Sequence, residues 1–186
     1  MTIEVIILNR KSKKQIEKYK EDGWSIVDVT SKSNSEYVKF SPFYPHGKIP
    51  IPGISDLFAD SVEGIWQGLK QFETGGTDYR KFFIRNMKNI KRSCRKYGHV
   101  LGHKFNDGTN DIILDYCEAR KRIYVPSYNW ILEKKLRVDL FNIIENSNKI
   151  VLLDYTTNEN IEDLSTPLSH ASLVKKYLFK HAGVLQ

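Results

Sequence analysis

The sequence predicts an α+β fold: a single domain, mostly helical around a small sheet. Three observations carry this reading. Short β-branched runs at residues 3–8, 25–29 and 149–154 read as buried strands. Residues 59–72, 128–146 and 169–181 place apolar side chains at helical spacing. No repeat, linker or low-complexity stretch divides the 186 residues, which suffice for one substantial core.

The elements follow in order. Residues 3–8 form the first predicted strand, residues 11–22 a polar helix closed by Gly23, and residues 25–29 a second strand. No G-x-G-x-x-G follows the first strand, which argues against a Rossmann dinucleotide site. Residues 31–35 are a polar loop. Residues 37–56 carry Pro42, Pro45, Pro50 and Pro52, which forbid a helix and disfavour a central strand. With Phe40, Phe43, Tyr44 and His46, this stretch reads as an ordered aromatic loop of the kind that builds binding sites.

The clearest helix is residues 59–72, with Val62, Ile65, Trp66, Leu69 and Phe72 as its apolar stripe. Gly64 and Gly68 would let another backbone approach closely. Residues 77–97 read as a longer basic helix marked by Phe82, Phe83, Met87 and Ile90, and residues 98–108 as a loop. Residues 111–122 fit either helix or strand, and Pro126 interrupts the pattern. Residues 128–146 form a strong helix with Leu132, Leu136, Leu140 and Ile144 four apart. The strand 149–154 follows, then a final helix at 169–181 with Gly183 as its C-cap.

Composition narrows the function. Apolar runs are short, so no transmembrane helix is expected, and the first ten residues do not resemble a secretory signal. The only cysteines, Cys94 and Cys117, make neither a disulfide framework nor a four-cysteine zinc site; a reducing, cytoplasmic compartment is expected. A net charge of +7 and a pI near 9.3 favour phosphorylated ligands or nucleic acid, and fit a solvated basic surface as well.

Several constellations could carry chemistry. Glu63, Gln67 and Lys70 fall at i, i+4 and i+7, a carboxylate, an amide and an ammonium in one column. The spacing of Asp60 and Glu63 equally fits a capping box. Asp154 ends a buried strand, where pockets open in sheets, or simply forms a turn. The acid-free run Arg80, Lys81, Arg85, Lys88, Lys91, Arg92, Arg95, Lys96 and Lys104 suits a phosphate backbone or a solvated face. His99 and His103 lie four apart, yet lack the Glu of H-E-x-x-H and have glycines beside them, so no metal is expected. Arg120 with Tyr124, Tyr128 and Trp130 could stack a base and hold a phosphate, or pack one element on the next.

The segments Phe40-Ser41-Pro42-Phe43, Ile49-Pro50-Ile51-Pro52-Gly53 and Ser61-Val62-Glu63-Gly64-Ile65-Trp66-Gln67-Gly68-Leu69-Lys70-Gln71-Phe72 together resemble the NADAR family. That family shows Phe-Ser-Asn-Phe, a short apolar strand and a Ser-x-Glu-His-x-x-Gln-x-x-Lys-x-Phe helix. Asn129-Trp130 and residues 149–158 look like its C-terminal half. The resemblance spans roughly residues 35–178, leaving 1–34 as a β-α-β extension within one domain, 1–186. Pro42 and Gly64 depart from the family's Asn and His, and the late Asp and Trp-Gly signature has no counterpart, which marks a divergent branch.

The resemblance implies an N-glycosidase that hydrolyses the bond between a base and ribose, on riboflavin-pathway intermediates or ADP-ribosylated guanine. Glu63 matches the family's motif Glu and would be the catalytic carboxylate, with Asp154 as a second acid. Gln67 and Lys70 would hold ribose or phosphate. Trp130, Tyr44 or Tyr124 would stack the leaving base, Arg120 would meet a phosphate, and Asn158 would join the substrate-binding set. No metal or redox cofactor is needed. The expected partners are a nucleotide or ADP-ribosylated substrate, nucleic acid along the basic face 80–104, and no membrane. The alternatives are a non-catalytic nucleotide or nucleic-acid binding module, and a base or sugar transferase that uses the same pocket.

Overall fold

The computed structural model describes residues 3–181. In chain order it runs β1 (Glu4–Asn9), α1 (Lys13–Glu21), β2 (Ser25–Asp28), β3 (Ile49–Pro50), β4 (Phe58–Ala59), α2 (Val62–Leu69) and β5 (Lys70–Phe72). Then come α3 (Cys94–Tyr97), β6 (Val100–Asn106), β7 (Asp111–Leu114), α4 (Tyr116–Ala119), α5 (Val125–Lys134), α6 (Arg137–Asn146), β8 (Lys149–Asp154) and α7 (His170–His181). The class is α+β, as the pattern predicts. Among the described residues, no helix is long and apolar enough to cross a membrane. The predicted C-cap Gly183 lies outside the described residues.

The chain gathers into two compact units, the described parts of Met1–Ser41 with Leu132–Gln186, and Pro42–Ile131. The first unit holds a parallel three-stranded sheet of order β1-β8-β2. Its register pairs Val5 with Ile150 and Val27 with Leu152. Ile150 to Leu153 are all buried, the continuous apolar run of a strand covered on both faces. The opening β-α-β is therefore not a separate extension: β8 fills the gap between its two strands. Helix α7 packs on β8 and β1. The predicted helix 128–146 is two helices that meet at Leu136 (φ −116°, ψ 5°). Leu132, Leu136, Leu140 and Ile144 stay buried across the break, each contributing roughly 1.5–3 kcal/mol.

The second unit is built on α2. Seven of its eight residues are buried, so it is an interior helix rather than a surface helix with one dry side. Strand β5 follows it directly and opens the antiparallel sheet β5-β6-β7. The two glycines of α2 act as predicted: a Cβ at Gly64 would stand 2.7 Å from the Lys81 carbonyl oxygen, and one at Gly68 would meet the Phe82 ring.

Four expectations change here. Residues 77–97 are not a helix. They make a 3-10 turn at Tyr79–Phe83, an irregular stretch, and the single turn α3. Residues 80–96 hold eight cations and no acid, which leaves no i, i+4 ion pair within them to support a helix, and Met87 and Asn89 take positive φ (59° and 58°). Residues 98–108 are not a loop but include β6, which turns into β7 through Asp107 and Gly108. Residues 111–122 resolve into a strand followed by a helix. Pro126 does not end the helical run: α4 continues into α5 through a π-helical turn at Arg120–Tyr124, where the Val125 N–H donates to the Arg120 carbonyl.

Candidate functional site

Helix α2 begins at Ser61, whose side chain accepts from the Gly64 N–H at 3.0 Å. Ser61, not Asp60, is thus the N-cap, and Glu63 is not the partner in a capping box. The Asp60 carboxylate instead accepts from Arg85 at 2.9 Å. This leaves a buried carboxylate, 7% exposed, in the first turn of the helix. Its position beside the helix start is electrostatically favourable, but burial of a charge still demands hydrogen bonds.

Gln67, one turn on and also buried, supplies one: its Nε2 donates to Glu63 Oε1 at 2.9 Å. The Gln67 carbonyl oxygen in turn accepts from the Arg92 backbone N–H at 3.0 Å. That N–H can only donate, so it fixes the amide's orientation and aims the amino group at Glu63. Arg92 is itself locked. Its guanidinium lies 4.5 Å from the Phe72 ring and 4.8 Å from that of Tyr97, and donates to the carbonyls of Lys70 and Gly76, each at 2.7 Å.

Lys70 is the third member of the predicted column, but it does not continue the helix. It is the C-cap of α2, with extended backbone, and starts β5. Burial lowers its pKa, opposed by the negative charge of Glu63. Its Nζ lies 5.8 Å from the centre of the Trp66 ring. Lys70 lines a pocket of ≈ 330 Å³ together with Val100, Leu101, His103, Asp115 and Tyr116.

An aromatic group surrounds Trp66. His103 stacks on it at 3.8 Å, Tyr116 lies at 5.8 Å and Tyr124 meets it edge-on at 5.7 Å. Arg120, almost wholly buried, sits 4.4 Å over the Tyr116 ring and donates to its hydroxyl at 3.2 Å. The π-helical turn is what turns Arg120 and Tyr124 toward α2. His103 is 1% exposed and neither ring nitrogen has a hydrogen-bond partner. Burial, then the charge of Lys70, push its pKa down to about 3, so it is a neutral imidazole.

Of the predicted residues, Glu63, Gln67, Lys70, Arg120 and Tyr124 are thus gathered in the second unit. Tyr44 and Trp130 belong to that unit too; the Tyr44 ring lies 4.9 Å from His46, and Trp130 is half-buried in α5. Asp154 and Asn158 belong to the first unit. Asn158 braces its own loop, donating to the carbonyls of Asp163 and Thr166 and accepting from the Asn160 N–H. Asp154 Oδ2 accepts from Ser169 Oγ at 2.7 Å and from the Ala171 N–H at 3.3 Å, and Oδ1 accepts from the Tyr155 N–H at 2.7 Å. His170 Nδ1 stands 3.0 Å from the same carboxylate. These bonds tie the start of α7 to the end of β8, so the structure gives both residues work in holding the fold.

Sequence reasoning missed Arg92, His103 and Tyr116 as neighbours of the column. The Asn106-Asp107-Gly108 turn signal between two apolar runs marks the β6–β7 hairpin that carries His103. Nothing local marks Arg92, whose role comes from the chain returning to α2. No curated protein matches the sequence. The family of unknown function DUF6939 matches residues 8–174, and with so much of its length covered the chain belongs to that family.

Proposed function

We propose that the protein is an N-glycosyl hydrolase that cleaves the bond between a base and ribose, with Glu63 as its catalytic carboxylate. The observation that carries this reading is a buried carboxylate in the first turn of a helix capped by Ser61, held by an amide of fixed orientation and neighboured by a lysine whose charge burial disfavours. The Ser61-x-Glu63, Gln67, Lys70, Phe72 pattern, similar to that of NADAR proteins, supplies the reaction class.

Breaking the C1′–N bond sends its electron pair to the base and leaves positive charge on the ribose ring. Glu63 stabilises that charge and takes a proton from the attacking water as the new C1′–O bond forms. Gln67 holds the carboxylate in place. Lys70, with its lowered pKa, yields its proton to the departing base, and the proton that Glu63 took from water passes through solvent to Lys70, which restores both groups. Tyr116, which lines the pocket with Lys70, offers an aromatic ring against which a flat base stacks. The proposed compartment is the cytoplasm, a reducing environment suited to a chain with only two cysteines.

The test is release of free base from ADP-ribosyl-guanine DNA and from riboflavin-pathway intermediates, followed by chromatography. Glu63→Gln should lower turnover by about 10²–10⁴-fold with an unchanged melting temperature. Equal turnover by variant and wild type rejects the role of Glu63. Base transferred to an acceptor, rather than released, identifies the transferase alternative.

A further inference from the structure

We propose that residues 80–96 form a docking surface for a single-stranded nucleic acid. The segment holds Arg80, Lys81, Arg85, Lys88, Lys91, Arg92, Arg95 and Lys96 and no acid. In a helix, such charges are usually spread and paired. Here the backbone between Ile84 and Ser93 is irregular, and Phe82, Ile90 and Arg92 alone turn inward as buried anchors. Lys81 Nζ ties the loop to itself through the Asn89 carbonyl at 2.5 Å. The result is a pinned loop that projects its remaining cations into solvent.

Arg80 and Arg85 pair with Asp78 and Asp60, yet their side chains stay 89% and 81% exposed. Among the described residues, Lys88, Lys91, Arg95 and Lys96 form no ion pair, and all four are exposed. Mutual repulsion among them weakens the fold unless a polyanion takes up their charge. A phosphodiester backbone does so, with release of its counterions. Phe83, between Arg80 and Arg85, is 57% exposed. An exposed aromatic ring within a cationic track is the arrangement that stacks an unpaired base, and favours a single strand over a duplex.

The loop is also joined to the Glu63 column, because the Arg92 N–H that orients Gln67 belongs to it. Arg92 also donates to the Lys70 carbonyl, so the loop adjoins a residue that lines the pocket. The interface itself does not depend on the hydrolytic reading, since its measurement is of binding and not of turnover.

The experiment is fluorescence anisotropy of a labelled single-stranded oligonucleotide against the full chain over a salt series, with the matching duplex beside it. The logarithm of the binding constant should fall linearly with the logarithm of salt concentration, with a slope of about −0.7 per phosphate contacted. The variant K88Q/K91Q/R95Q/K96Q should bind about tenfold or more weakly at low salt and show a flatter slope. A charge-matched control, K13Q/K14Q/K18Q/K20Q on the exposed face of α1, should change binding little. Phe83→Ala should erase the preference for single strand and leave the slope unchanged. Equal losses in the two quadruple variants, or no salt-dependent binding by wild type, would overturn the interface. Tighter binding of the duplex would overturn the single-strand assignment. Circular dichroism melting of each variant checks that the fold is intact.

Discussion

Each unit of the molecule buries one histidine, and the two are opposites. In the second unit, His103 faces Trp66 with no hydrogen bond to either nitrogen, and its pKa is pushed down to about 3 by burial and by Lys70. In the first unit, His170 is equally buried, but both nitrogens face acceptors: Asp154 Oδ2 at 3.0 Å and the Val29 carbonyl at 2.8 Å. Two acceptors require two N–H donors, which only the imidazolium has. Burial lowers the His170 pKa, but the charge and hydrogen bond of Asp154 outweigh it and the net shift is upward. Burial likewise pushes Asp154 up, while His170, Ser169 and the Tyr155 amide bring it to a net value below the usual carboxylate range. Depth in the protein therefore does not set the charge state; the partner does.

The difference predicts opposite responses to acid, and each can be broken separately. The largest effect belongs to Asp154→Ala, which strands the His170 charge in the core and should cost about 3–5 kcal/mol in urea denaturation near pH 5.5. The raised His170 pKa stabilises the fold fully below the unfolded value of 6.5 and loses that contribution as pH rises through the folded value. The lowered Asp154 pKa stabilises it above 3.8 and loses that contribution as pH falls through the folded value. The wild-type stability profile should therefore carry a contribution greatest between pH 3.8 and 6.5, absent in the variant.

His103 works the other way. Below pH 6.5 the unfolded chain binds a proton that the folded chain refuses until about pH 3, so this group lowers stability as pH falls. His103→Leu should remove that slope and raise stability by roughly 1–3 kcal/mol at pH 4, as an unpartnered polar group leaves the interior. An unchanged pH profile would show that His103 finds a proton acceptor in the folded state. Gly64→Ala, a steric change at the Lys81 carbonyl, should cost roughly 1–3 kcal/mol equally at pH 4 and pH 7. Ser61→Ala removes the α2 cap and should cost about 1 kcal/mol, again without a pH dependence. Together these two serve as references for the titrating pair.

Periodic apolar residues made much of the architecture legible. The strand Lys149–Asp154 has its predicted bounds, and α1, α2 and α7 lie within theirs: β8 is marked by its unbroken apolar run, α2 and α7 by apolar spacing, and α1 by a polar run that ends at Gly23. The basic stretch failed as a helix because Phe82 and Ile90 are buried by contacts from elsewhere in the chain, which mimic helical spacing without a helix. In the site, Glu63 and Gln67 were legible from their spacing of four. Lys70 was legible by name but not by geometry, since the helix ends one residue before it. Asp154 reads as an active-site acid until Ser169 and His170 arrive from fifteen and sixteen residues downstream to take up its Oδ2. Arg92 depends on a long-range return of the chain, which no window of sequence reveals.

The seating of β8 between β1 and β2 carries a consequence for how the protein is made. Residues 42–131 are contiguous and can close their contacts while still being synthesised. The first two strands cannot: among the described residues, the ladder partner of both is β8, which emerges from the ribosome more than a hundred residues later. Until then, the edges of β1 and β2 that β8 will pair stay open.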